Sequence, residues 1–382
     1  MPTSRPYDVV LLGATGFTGR LTAAHLAART AGTDLRLAIA GRRRDALEDL
    51  AASLPGDVGV EVADTSDLVG LLDLAGSTRV LATTVGPYAQ HGELVVQACV
   101  RQGTHYADIT GEPGFVDLVR ARYDADAVRQ GVKLVSCCGF DSVPHDLGVR
   151  FTVAHLPDDA PLTVRGYVRG QGRASGGTLR SAVGAIASGK VPKLAAPRGS
   201  DQERREARSL PVRIHRVAML DAWGVPLPTI DPAIVLRSAR VLDGYGTSFR
   251  YGHYVRVGNL PMVAAGVAGV GTLAAMASLR PTRAVLERLL PASGEGPDEA
   301  TRARSRFDVT FLGEGGGVRV TTRVAGGDPG YGETSRMLGE AALSLAQDDG
   351  PDVVGALTPA VALGAPYHDR LVAQGIRFEV LD

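Results

Sequence analysis

The feature that most restricts this chain is an alternation through its first third, in which short, continuous apolar runs are separated by amphipathic helical periods. Tyr7–Leu12, Leu35–Ala40, Val58–Val62, Arg79–Thr84, Thr104–Asp108 and Lys133–Ser136 read as strands. Thr18–Arg29, Arg44–Leu54, Glu93–Gln102 and Phe115–Arg129 read as helices. Strands that are apolar throughout are buried on both faces, and strands joined through helices run parallel. The expectation is an α/β fold: a doubly wound (Rossmann) parallel sheet domain ending near Gly139, followed by a second α+β domain.

The rhythm changes after that point. Leu162–Arg169, Val212–Met219, Ser248–Val257, Arg304–Leu312 and Val318–Val324 are longer and more alternating, and the glycines of Gly313–Gly317 predict an antiparallel hairpin. Helical patterns follow Gly176–Thr178 and span Glu333–Gln347, while the charged run Arg198–Ser209 reads as an exposed loop. Leu260–Leu279 has no charge in twenty residues, a length that could cross a bilayer. Its alanines and glycines, and Pro261, favour a buried or dimer-interface helix over a span. A peripheral membrane or acyl-chain contact through 260–279 is the alternative, and a homodimer is a further partner expectation.

Composition narrows the function. The 382 residues carry 41 basic and 41 acidic side chains, so no net positive field favours nucleic acid, and none is expected as a partner. Lysine occurs only at Lys133, Lys190 and Lys193, which leaves few candidates for Schiff-base chemistry. Cys99, Cys137 and Cys138 form neither a disulfide framework nor a zinc spacing, so no metal site is expected. The N-terminus runs straight into a strand without a signal-peptide layout, and a cytoplasmic setting is expected.

Directly after the first strand comes Gly13-Ala14-Thr15-Gly16-Phe17-Thr18-Gly19, opening the first helix. A glycine at 13 allows a tight turn, one at 16 lets a pyrophosphate approach the backbone, and one at 19 permits close helix–strand packing. The helix N-terminus then favours phosphate charge. An NAD enzyme usually carries an acid at the end of the second strand, but here the strand ends Ala40-Gly41-Arg42-Arg43-Arg44. Guanidiniums suit a 2′-phosphate, so NADP(H) is the expected cofactor, with Arg42 and Arg43 on the phosphate. The competing reading is a solvated helix start. Asp64 follows the third strand, placed either for the adenine edge or as a helix cap. After the fourth strand, Thr84, Val85, Gly86 and Pro87 should border the nicotinamide ribose, and Tyr88 and His91 should face the reaction space or pack within the loop.

The segments GATGFTG, AGRR, VGPYAQHGELVVQAC, GTHYADITGE and CCGFDSVPHDLG, in this order, resemble the saccharopine dehydrogenase-like oxidoreductases. They are most similar to the branch that includes bacterial trans-acting enoyl reductases. GGTLRSAVGAI, TIDPAIVLRSA, FRYGHYVRVG and the C-terminal GYGETSRMLGEAALSLAQD resemble the same branch. The resemblance implies a Rossmann NADP domain over 1–140, an α+β substrate or dimerisation domain over 141–350, and a return segment over 351–382. It also implies reduction of a carbon–carbon double bond in a fatty-acyl or polyketide thioester, with a small-molecule or carrier-bound acyl substrate. Relatives that perform C–N chemistry on a semialdehyde provide the alternative, with Arg165, Arg169, Arg173 and Arg180 available for carboxylates. A non-catalytic, membrane-associated NADP-binding scaffold is a third reading.

Enoyl reduction asks the protein to position the chain, stabilise an enolate and supply a proton. Tyr88, His105, Tyr106 and His145 are the candidate donors, with Asp141 and Ser142 as orienting groups. The FDSVP segment leaves the sheet where the second domain begins, a favoured position for lining a small-molecule site, although Pro144 and Asp141 would also suit a hinge.

Overall fold

The computed structural model describes residues 5–171, 204–263, 269 and 296–381. The chain divides into two compact units, Met1–Val143 with Tyr331–Gly375, and Pro144–Gly330 with Ile376–Asp382.

The first unit is built on seven parallel strands: β1 (Tyr7–Leu12), β2 (Leu37–Gly41), β3 (Val58–Val62), β4 (Thr78–Thr83), β5 (His105–Asp108), β6 (Lys133–Val135) and β14 (Gly355–Leu357), in the order β3-β2-β1-β4-β5-β6-β14. Leu12 lies opposite both Ala40 and Thr83, so the loops after β1, β2 and β4 leave the sheet along one edge. The strand order reverses between β1 and β4, the switch point at which open α/β sheets bind ligands. The helices are α1 (Phe17–Thr30), α2 (Arg44–Ser53), α3 (Leu68–Gly76), α4 (Tyr88–His91), α5 (Glu93–Gln102) and α6 (Pro113–Gln130). Local chemistry sets the ends: Pro113 occupies the first turn of α6, and Gly103 and Gly131 close α5 and α6 in the left-handed conformation.

Alternate strand residues feed two layers. Val10, Leu12, Leu81, Tyr106 and Leu134 pack with Leu71 and Leu74 of α3, Val96 and Cys99 of α5, and Phe115 of α6. A helix from late in the chain, Gly332–Gln347, packs against α1 and across β1, β4 and β5. Its Glu340 is fully buried, with His25 Nε2 and Arg29 Nε each at 2.9 Å and Arg370 Nη1 at 3.5 Å. Burial raises this carboxyl, but the His25 hydrogen bond and the charges of His25, Arg29 and Arg370 outweigh it and hold its pKa below the usual value.

The second unit carries a mixed sheet in the order β15-β13-β12-β7-β11-β10-β9. Its strands are β7 (Leu162–Gln171), β8 (Glu206–Ser209), β9 (His215–Val217), β10 (Ala222–Pro226), β11 (Ser248–Val257), β12 (Arg306–Gly315), β13 (Val318–Gly326) and β15 (Arg377–Val380). β7 and β8 run parallel to β11, and the other pairings are antiparallel. The expected hairpin is present: Gly315 pairs with Val318, and Gly316 and Gly317 take φ of +56° and +80°, the conformation a two-residue turn requires. Among the described residues this region also holds helices α7 (Val143–Val153), α8 (Asp231–Val241) and α9 (Glu299–Arg304); α10 (Gly332–Gln347) and α11 (Pro359–Ala373) belong to the first unit.

Several expectations change. Glu206–Ser209 is a strand rather than loop, because β11 offers an edge that a short charged segment can still pair with. The expected strand Val212–Met219 shortens to β9, followed by a 3-10 turn at Ala218–Leu220. The boundaries 1–140, 141–350 and 351–382 give way to the two-segment units, since α10 covers the parallel sheet and β15 pairs with β13. The pattern after Gly176–Thr178 and most of Leu260–Leu279 lie outside the described residues; within the latter, Leu260 and Met262 are exposed. Among the described residues no helix is long and apolar enough to cross a membrane.

Candidate functional site

The glycine turn sits at the switch point. Gly13 has φ +88°, and its N–H donates to Ala40 O at 2.8 Å. A Cβ there would lie 2.6 Å from Val85 Cγ2, and one at Gly19 would lie 2.1 Å from Gly13 O, so both positions are closed to larger residues by their own surroundings. Gly16 differs. Its φ is −71°, and an added Cβ would meet nothing closer than Gly13 O at 3.4 Å. The surrounding protein does not demand glycine at 16, whereas a ligand lying against the backbone would.

Gly16 also caps α1. No side chain caps this helix start, and its first turn carries no acid, so the positive end of the helix is left for an external anion. Thr15, Phe17 and Thr18 shape the same turn: Thr15 O accepts from Arg20 Nε, Thr18 O accepts from Thr22 Oγ1, and the Phe17 ring lies edge-on to Tyr331 at 4.7 Å. These features fit a dinucleotide pyrophosphate.

Arg42 and Arg43 follow β2, both exposed, while Arg44 ion-pairs with Glu48 at 3.5 Å. Two guanidiniums rather than three are therefore left for a phosphate. The Asp64 carboxylate accepts from the Ser66 N–H at 2.8 Å and the Ser66 hydroxyl at 2.7 Å. Those bonds, and then the charges of Arg42 and His91, hold its pKa low. Asp64 does not cap α3; Asp67 does, accepting from the Val69 N–H. His91 lies beside Thr65, with Nδ1 3.5 Å from Thr65 Oγ1.

The loop after β4 is tied to the glycine turn. Thr84 donates from Oγ1 to Gly13 O at 3.1 Å and from its N–H to Leu12 O at 3.0 Å, and the Gly86–Pro87 peptide is cis. Val85 touches the turn, while Gly86 and Pro87 are exposed. Tyr88 is packed within the loop, buried at the carboxyl ends of β4 and β5. Its hydroxyl donates to Thr83 O at 3.1 Å and accepts from the Ile109 N–H at 3.4 Å, and the ring is buried. Burial, then Asp108, pushes the phenol well above its ordinary pKa. Glu112 fixes this inward turn by accepting from the Tyr88 and Ala89 N–H groups at 2.9 and 3.0 Å.

The remaining candidates separate. His105 begins β5, paired with Val80, whereas Asp108 is paired with Thr83 at the ligand edge; three residues of parallel strand put His105 about 10 Å back. Its Nδ1 accepts from the Lys133 N–H, and burial, then Lys133, lowers its pKa to about 4. Tyr106 is wholly buried in the core. Neither is placed beside the glycine turn. The Asp141 carboxylate lies against Gly111, and burial raises its pKa; Ser142 is buried, with its hydroxyl donating to Asp141 O. His145 lies in the second unit, beside Asp231 and His253.

Sequence reasoning missed Asp108 and Glu112. Asp108 is fully buried and accepts from the Thr110 N–H at 2.9 Å, the Cys137 N–H at 3.0 Å and the Ser136 hydroxyl at 3.0 Å. Burial pushes it up to about 6 despite these bonds. It braces the ends of β5 and β6, where Cys137 takes φ +66°. The signal was the Asp-Ile-Thr spacing, which favours a side-chain turn onto the residue two ahead.

The family described as the saccharopine dehydrogenase NADP binding domain matches residues 9–132. A Mycobacterium tuberculosis H37Rv protein named as a candidate trans-acting enoyl reductase is 36% identical, over 99% of this chain and 98% of its own. The trans-acting enoyl reductase of Mycobacterium ulcerans is 32% identical, over 97% of each chain. The apo saccharopine dehydrogenase (L-Glu forming) of Saccharomyces cerevisiae shares the fold, with a TM-score of 0.55 and 14% identity over 98% of this chain and 100% of that one. Read with the parallel sheet and its glycine turn, these end-to-end matches mean that the chain belongs to the saccharopine dehydrogenase-like oxidoreductases, alongside the trans-acting enoyl reductases.

Proposed function

We propose that this protein is an NADPH-dependent reductase of the carbon–carbon double bond in an α,β-unsaturated acyl or polyketide thioester. The observation that supports it most is the joint one: the chain matches relatives named trans-acting enoyl reductase over nearly its full length, and it keeps an acid-free, uncapped α1 behind the three-glycine turn.

Gly13, Gly16 and Gly19 give the pyrophosphate access to main-chain N–H groups, and Arg42 and Arg43 meet the 2′-phosphate. Thr84 locks the β4 loop to the turn, so that Val85, Gly86 and Pro87 border the nicotinamide ribose. Bound NADPH supplies the hydride to the β-carbon of the substrate. The protein's part is to hold the acceptor, stabilise the enolate and admit one proton to the α-carbon. Tyr88 serves here as a positioning residue, since its proton is already given to Thr83 O.

The test is NADPH oxidation by the purified protein with enoyl thioesters of increasing chain length, run beside aminoadipate semialdehyde with glutamate. Turnover on the enoyl series supports the reading. Turnover only on the semialdehyde pair would replace it with C–N chemistry, and nucleotide binding without turnover on carrier-bound as well as free thioesters would leave a scaffold.

A further inference from the structure

A second cluster, not used by the nucleotide site, lies within the second unit. His145 comes from α7, Asp231 opens α8 and His253 sits midway along β11. Their relative exposures are 2%, 2% and 6%, so three ionisable side chains from distant parts of the chain are withdrawn from water together. His145 Nε2 lies 3.4 Å from Asp231 Oδ1, and His253 Nε2 lies 3.6 Å from Asp231 Oδ2. The two imidazoles meet edge to face, with centroids 4.7 Å apart and an interplanar angle of 88°.

We propose that His145, Asp231 and His253 bind a divalent transition-metal ion of the zinc class, which ties α7, α8 and β11 together. The nitrogen–oxygen separations are long for hydrogen bonds. They are close to the spacing of about 3.4 Å between neighbouring ligand atoms around tetrahedral zinc with bonds near 2.0–2.1 Å. All three ligand atoms lie within 4.8 Å of one another, so the widest pair needs to close by no more than about 1.4 Å to complete the geometry. Two imidazoles and a carboxylate are a donor set that suits zinc, cobalt or iron and discriminates against magnesium or calcium, which prefer all-oxygen sites.

The surroundings supply what such a site needs. Tyr251 Oη lies 3.2 Å from His253 Nδ1, on the ring nitrogen away from the carboxylate. In the tautomer that donates Nδ1–H to Tyr251, the Nε2 lone pair faces Asp231, the arrangement that orients a metal-bound imidazole. Thr229 Oγ1 donates to Asp231 Oδ2 and steers the carboxylate. A cavity of about 460 Å³ has Thr229, Tyr251 and His253 in its wall, so it reaches one side of the cluster. None of this depends on the reductase reading.

The test uses the full-length protein, with any purification tag removed, stripped with chelator and titrated with Co²⁺ and then Zn²⁺. The expected result is one bound equivalent, visible cobalt absorption bands that zinc displaces, and a rise in melting temperature with metal. Asp231→Asn keeps the shape and the Thr229 contact, and should weaken cobalt binding by roughly 100-fold; Tyr251→Phe should weaken it about tenfold. Zinc-edge X-ray absorption on the unmutated protein should show two imidazoles around the ion, which keeps the proposal testable if a variant fails to fold. No stoichiometric binding, a shell without imidazole, or affinity unchanged in folded Asp231→Asn would overturn it.

Discussion

The nucleotide turn of the first unit and the histidine–aspartate cluster of the second are assembled from different material. The turn is main chain: what matters at Gly13, Gly16 and Gly19 is missing atoms and allowed φ, together with a helix end free of acids. The cluster is side chain: what matters at His145, Asp231 and His253 is the identity of each group and its withdrawal from water. A main-chain site is damaged by adding atoms, and a side-chain site by removing or renaming them. Asp108 lies between these cases, being an ionisable group that main-chain donors hold in place.

The largest effect expected is from Gly19→Ala. Its new Cβ would fall 2.1 Å from Gly13 O, and overpacking against backbone should cost about 3 kcal/mol or more and abolish NADPH binding. Denaturant unfolding and nucleotide titration measure both; a stable variant with normal binding would break the main-chain half of the comparison.

Asp108→Asn tests the intermediate case. Asp108 is raised from 3.8 to about 6 in the folded protein, so the folded state holds its proton over a pH range where the unfolded state has lost it. Its contribution is full below pH 4 and is lost as pH rises through 6, about 3 kcal/mol in all. The asparagine variant should lack that fall between pH 4 and 6.5, and identical slopes in denaturant-derived stability would refute the assignment.

Replacing Arg42 and Arg43 together by alanine should weaken NADPH roughly 30-fold, or about 2 kcal/mol, while changing NADH less than about threefold. Equal losses would remove the 2′-phosphate role. Gly16→Ala provides the contrast to Gly19: with 3.4 Å to its nearest neighbour, stability should stay within about 0.5 kcal/mol while NADPH weakens roughly tenfold. The smallest effect is expected from Tyr88→Phe, about 1 kcal/mol of stability with kcat within about threefold. A fall of 100-fold or more with NADPH binding intact would make Tyr88 a catalytic group after all.

The same distinction explains what the sequence showed. The three glycines were legible because a main-chain site restricts residue type at fixed spacing, and the parallel strands because burial on both faces leaves continuous apolar runs. Tyr88 was found, but its direction was not, because the Glu112 contact that turns it inward comes from another loop. His105 and Tyr106 belong to a strand that was read correctly; only register against β4 shows that His105 starts it and Asp108 ends it. His145 was noticed alone, since nothing local marks Asp231 and His253 as its neighbours. The short strands β14 and β15 carry too few residues to show a period, and the helical pattern of Gly332–Gln347 gives no sign of which sheet it will cover.

That last helix limits how this protein can be cut. A fragment stopping at Val143 has six strands and the complete glycine turn, yet it lacks the helix that lies across β1, β4 and β5. Apolar residues on that side, such as Leu11 and Val80, are wholly buried in the intact chain and would be left to water. The unit that presents the nucleotide turn is therefore a splice, Met1–Val143 joined to Tyr331–Gly375, and a chain stopped before Tyr331 is expected to aggregate rather than to behave as a free-standing nucleotide domain, which light scattering of the two fragments would check.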